Sequence, residues 1–176
     1  MRKISAHEIA LSALAAALAT VFLTLGTITP VLLFTAYLVA CISLMLPLSR
    51  GSYLGYLFAY AVTGLLTVLF CGAGFIFELL PLLLFFGLHP LVNELQLKYR
   101  WKKWIAFGLK AAWFDASLYI TWRFAFEMTT IIALPHELVI LLLALIGTIL
   151  FYVYDYTTFK CRAQVNSLIN RLLRKK

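Results

Sequence analysis

The stretch HEIALSALAAALATVFLTLG, residues 7–26, decides the class of fold. A helix rises about 1.5 Å per residue, so a run of this length covers about 30 Å, the thickness of a bilayer's hydrocarbon core. It holds one formal charge, Glu8, and no Gly or Pro before Gly26. A secretory signal begins in a similar way, with Arg2 and Lys3 ahead of apolar residues. Here the small-residue pattern Ala17-Leu18-Ala19 falls inside the run, which continues through Val21, Phe22, Leu23 and Leu25. A retained first membrane helix is therefore expected.

Outward from this stretch, five more apolar runs follow at residues 31–48, 52–70, 75–95, 101–126 and 134–156, each long enough to cross. Helix-stopping residues punctuate them: Gly26 and Pro30, Pro47 and Gly51, Gly72 and Gly74, Pro90, then Pro135. Of 176 residues, 64% are hydrophobic and 12% charged, too little polar surface to coat a water-soluble globule. Strands are excluded because an open sheet leaves its edge amides unsatisfied in lipid, and the runs lack the alternation of a barrel. The expected fold is an all-α integral membrane protein, with six transmembrane helices in one compact bundle and a single domain over the whole chain.

Charge sets the orientation. Of the 15 Lys and Arg residues, thirteen flank the runs: Arg2, Lys3, Arg50, Lys98, Arg100, Lys102, Lys103, Lys160, Arg162, Arg171, Arg174, Lys175 and Lys176. All fall at alternate connections, and the connections at 27–30, 71–74 and 127–135 contain none. By the positive-inside rule both termini are cytoplasmic, with Tyr99, Trp101 and Trp104 anchoring the same interface. The same placement argues against nucleic acid as the reason for the net charge of +8. In the tail at 157–176, Val165, Leu168, Ile169, Leu172 and Leu173 recur at helical spacing among basic residues. This describes a basic amphipathic helix on the inner leaflet, or equally an orientation anchor. Cys41, Cys71 and Cys161 lie at different depths, so unpaired thiols are expected.

In the first helix, Ala6, Ala10, Ala13, Ala17, Thr20 and Thr24 follow a 4-3-4-3-4 spacing along one face. Small side chains let another helix approach closely, which is how helices associate in lipid. Two readings stand: a surface that docks another membrane protein, or packing inside the bundle.

Ionisable residues inside a membrane are costly, so Glu78, Lys110, Asp115 and Arg123 are the next candidates. On the fifth run Asp115, Tyr119, Trp122 and Phe126 fall at i, i+4, i+7 and i+11, with Arg123 at the edge of that face. Glu78 and Arg123 each lie about one turn below the outer surface, where they meet either as a structural charge pair or as the lining of an outward cavity. Pro81 frees the carbonyl of Phe77 beside Glu78. Lys110 is expected to snorkel. Tyr56, Tyr60, Thr63 and Thr67 form a polar stripe on the third run. His89, Asp155, His136 and Glu137 are read as interfacial and solvated, with no metal-ligand spacing and no cofactor. No Gly-x-Ser-x-Gly elbow, His-Glu-x-x-His or phosphate-cradling loop occurs, so neither an enzyme nor a self-contained ATPase is expected.

In length, span number, cytoplasmic ends, the basic start Arg2-Lys3 and the Ala-x-x-x-Ala pattern at Ala13 and Ala17, the whole chain resembles the S-components of energy-coupling-factor (ECF) vitamin transporters. The resemblance implies a multi-pass protein of the bacterial plasma membrane. It would capture a micronutrient outside, while a coupling transmembrane subunit with two ATPase subunits drives release inside. It further implies that Ala13 and Ala17, with Ala10 and Ala6, contact the coupling subunit. Glu78, Asp115, Tyr119, Trp122 and Arg123 would then lie in the region of the small-molecule site. No ligand signature of the family is matched, so the implied substrate is no narrower than a flat, polar, vitamin-like micronutrient. Rival readings are a non-transporting scaffold of the MreD cell-shape type and a small stand-alone transporter.

Overall fold

The computed structural model describes residues 5–126 and 136–174, and these residues form six α-helices and no strand. Arg2, Lys3, Glu127, Pro135, Lys175 and Lys176 lie outside the described residues, as do the side chains of Phe126, His136, Leu172, Leu173 and Arg174. Helix α1 spans Ala6–Ile28. A capping box starts it: Ser5 Oγ accepts from the Glu8 amide at 3.2 Å, and Glu8 Oε2 accepts from the Ser5 amide at 3.1 Å. Helix α2, Leu33–Leu48, follows a 3-10 turn at Pro30–Leu32, and α3, Tyr53–Cys71, is capped by Ser52 Oγ. Helix α4 is His89–Lys98, α5 is Lys103–Thr121 and α6 is His136–Arg174.

Three of the six, α1, α3 and α6, are long and apolar enough to cross a membrane, which fits membrane association. The 75–95 run, expected as one helix, is broken instead. A 3-10 turn at Ala73–Ile76 and a turn through Glu78 lead into a π-helical segment, Leu82–Phe86, before α4 begins. Pro81 has no amide to continue a helix from upstream, and Pro90 sits in the first turn of α4, where its missing amide costs little. The carbonyl of Phe77, expected to be free, accepts from the Leu80 amide at 3.2 Å.

The tail is the unbroken continuation of α6, a helix of 39 residues. Val165 packs against the core and Ile169 is buried, so part of the apolar stripe is spent on the protein, while Leu168 stays exposed.

The most extensive helix contacts join α1 to α2 and α3, and Ala15, Ala19, Leu23, Ala40, Leu44 and Ala59 are buried in the core cluster of these helices. Small side chains bring these backbones together. A Cβ added at Gly26 would sit 2.5 Å from Ala36 Cβ. Gly26→Val is therefore expected to lower stability by about 1–3 kcal/mol through overpacking. Thermal unfolding in detergent checks it, with Gly74→Ala, where an added Cβ meets nothing within 4 Å, as the unchanged control.

Candidate functional site

Among the described residues, the charged side chains between the helices gather in two regions. In the first, Glu78 follows the 3-10 turn after α3. The Tyr37 hydroxyl donates to its backbone carbonyl, and its carboxylate Oε2 is buried without a hydrogen-bond partner. Asp115 on α5 faces α6: Oδ2 accepts from Thr148 Oγ1 at 2.9 Å, and Oδ1 lies where a Cβ on Gly147 would come within 2.5 Å. It thus cements α5 to α6 through a notch that only glycine leaves open. One turn on, Tyr119 and Trp122 are half-buried, with ring centroids 6.1 Å apart and planes tilted by 37°. Arg123 is exposed on the π-helical segment Trp122–Phe126 that follows α5. Among the described residues, no ion pair joins Glu78 to Arg123.

The stripe on α3 is explained by backbone accounting. The π-helical turn sends the Gly87 amide to Leu82 O and the Leu88 amide to Phe85 O, leaving Leu83 O without the amides that would normally reach it. The Tyr60 hydroxyl donates to it at 2.7 Å. The Tyr56 hydroxyl donates to Gly87 O, whose i+3 neighbour Pro90 has no amide and whose i+4 amide, that of Leu91, is turned to Leu88 O. Thr63 and Thr67 return their hydroxyls to carbonyls of their own helix, Ala59 at 2.7 Å and Thr63 at 2.8 Å.

The second region was not foreseen as a unit. His89 and Asn93 stand one turn apart on α4, facing Lys110 of α5 and Asp155 of α6. Lys110 Nζ donates to Asn93 Oδ1 at 2.8 Å and to Asp155 Oδ1 at 2.7 Å. Asn93 Nδ2 lies 3.4 Å from His89 Nδ1, and His89 Nε2 lies 3.0 Å from Asp155 Oδ1, off the axis of a ring N–H. The four side chains close a ring. His89 and Lys110 are 0% and 3% exposed and Asp155 only 13%, so the expectation that Lys110 snorkels and that His89 and Asp155 are solvated is corrected. Water is excluded by aromatic side chains. Phe85 and Tyr154 lie 5.0 and 4.8 Å from the imidazole, and Lys110 Nζ is 5.0 Å from the centre of Phe159.

One layer further along α4, Arg162 donates to Glu94 Oε2 at 2.6 Å. Between the layers is a cavity of about 10 Å³, bordered by Asn93, Thr158, Arg162 and Asn166. Behind Tyr154, its hydroxyl lies 3.1 Å from Cys41 Sγ. Cys41, Cys71 and Cys161 are free thiols, and among the described residues no three His, Cys, Asp or Glu side chains converge on a metal position.

The small stripe of α1 splits by face. Ala6, Ala10, Ala13 and Ala17 are all exposed, whereas Ala15, Ala16 and Ala19 supply the packing against α2 and α3. Thr20 is buried and Thr24 half-buried. Comparison with known protein families, with characterised proteins and with solved structures finds nothing that matches this chain.

Proposed function

We propose that the chain is a six-span membrane protein with both termini cytoplasmic. In this reading it acts as the substrate-binding subunit of an ECF-type importer in the bacterial plasma membrane. The observation that carries the proposal is the exposed stripe Ala6, Ala10, Ala13 and Ala17. The bundle satisfies its own packing with the other alanines of α1, so the exposed stripe leaves a smooth face on which a second membrane helix can approach to about 8 Å. Its partner is the coupling subunit, itself bound to two ATPases, and this chain performs no chemistry. Ligand contact is assigned to the outer half, to Glu78, Tyr119, Trp122 and Arg123. There, the unpartnered carboxylate oxygen of Glu78 offers an acceptor and the two rings offer a stacking surface. Asp115, engaged by Thr148, supports that wall.

Co-expression with a coupling subunit and its ATPases tests the docking face. Ala13→Trp combined with Ala17→Trp is expected to abolish co-purification of the complex while leaving the thermal midpoint of the isolated protein within about 2 °C, as suits surface positions. Unaltered assembly overturns the assignment.

A further inference from the structure

We propose that His89 is a proton-binding site whose loading opens the ring joining α4, α5 and α6. Donors and acceptors around the ring match only when the imidazole carries one proton. Lys110 donates to Asn93 Oδ1, which turns the Asn93 amide nitrogen toward His89. Nδ1 is then an acceptor, and the imidazole proton sits on Nε2, beside the Asp155 carboxylate. A second proton, on Nδ1, sets N–H against N–H. Rotating the Asn93 amide relieves that clash but brings its nitrogen against Lys110 Nζ, 2.8 Å away, so one link is lost in either arrangement.

Charge points the same way. Lys110 and Asp155 cancel, so the ring is neutral with a neutral imidazole, and an added proton leaves an uncompensated positive charge among Phe85, Phe151 and Tyr154. The titratable groups facing His89 are Lys110 from α5 and Asp155 and Tyr154 from α6, with Cys41 of α2 behind Tyr154. Tyr56 of α3 donates to the backbone carbonyl of Gly87, and Glu94 on the same helix as His89 is held by Arg162. The cavity beside Asn93, walled by Thr158, Arg162 and Asn166 together with Met45, Leu48 and Pro90, has about the volume of one water and adjoins the ring. The inference is independent of what the chain transports.

Cys41 is a built-in reporter, being 1% exposed and covered by the tyrosine that lies against His89. In full-length protein carrying Cys71→Ser and Cys161→Ser, purified in detergent, its reaction with 4,4′-dithiodipyridine is followed between about pH 8 and pH 5.5, the range across which imidazole titrates. Rates are normalised to those of the denatured protein. We expect labelling to speed up by about tenfold as the pH falls, in step with imidazole protonation, and to become independent of pH in His89→Gln. Asn93→Asp presents acceptors to both Lys110 and a doubly protonated His89, so the ring closes on the charged imidazole and labelling becomes slowest at low pH. Three results each overturn the proposal: pH-independent labelling of the parent protein, an undiminished slope in His89→Gln, or a parental slope in Asn93→Asp.

Discussion

Lys110→Met is expected to destabilise the protein by about 3–5 kcal/mol, the cost of leaving one member of a buried ion pair behind. Asp155 would keep its negative charge with only an obliquely placed imidazole beside it, and Asn93 Oδ1 would lose its donor. Methionine matches the length of the lysine stem, so little volume changes and the loss reports charge and hydrogen bonding. Reversible unfolding in detergent measures it. Adding Asp155→Asn to Lys110→Met should restore most of the stability, because the stranded charge is then removed as well. A double variant as weak as the single one would show that packing at position 110, and not its charge, holds the three helices together.

The second large effect is expected at Phe85. Its ring is 1% exposed and meets Trp113 and Phe114 at 4.8 Å, His89 at 5.0 Å, and Tyr154 and Phe151 at 5.8 and 5.9 Å. Phe85→Ala removes the hub of these ring contacts, edge-to-face with Trp113, Phe114 and Phe151 and tilted with His89 and Tyr154, and leaves a cavity that cannot collapse, since its walls come from three separate helices. A loss of about 3–5 kcal/mol follows. Phe85→Leu, which fills most of the volume but offers no ring edge, should cost roughly a third of that. Both are read from the same unfolding experiment, and a Leu variant as damaging as Ala would place the effect in ring geometry and not in volume.

Most helices were legible in the sequence because apolar run length and Gly or Pro punctuation act locally. The runs at 7–26, 52–70 and 134–156 correspond to α1, α3 and α6 within a few residues, apart from the continuation of α6. The run at 75–95 misled because hydropathy is blind to a missing amide. Leu, Phe and Ile fill that stretch as they would a helix, yet Pro81, Gly87 and Pro90 redirect the backbone, and Tyr56 and Tyr60 on α3 take up the carbonyls released.

The candidate site was legible only one residue at a time. Glu78, Asp115 and Arg123 stood out as charges in apolar surroundings, but which element each faces is a long-range property. Asp115 meets α6 because Gly147 lacks a side chain, and nothing on α5 announces that. The ring around His89 was harder still, since Lys110 finds its partners 17 and 45 residues away along the chain. The one local cue was His89 and Asn93 at i, i+4 on a helix face. A rule that a lysine within an apolar run must find a carboxylate would have directed attention from Lys110 to Asp155.

Asp155 lies at the midpoint of α6, nineteen residues from His136 and nineteen from Arg174. A continuous helix of this length is a stiff beam about 57 Å long, and its central attachment is a fulcrum. Each arm measures about 28 Å, so a rocking of about 5° about Asp155 carries either tip through about 2.5 Å. Beyond Asp155, the arm toward Arg174 rests on α2 and is braced by Glu94, while the other arm leans on α5 through Thr148 and Gly147. A change in the hold on that one carboxylate therefore acts at the centre of α6, midway between two arms that are each braced by a neighbouring helix.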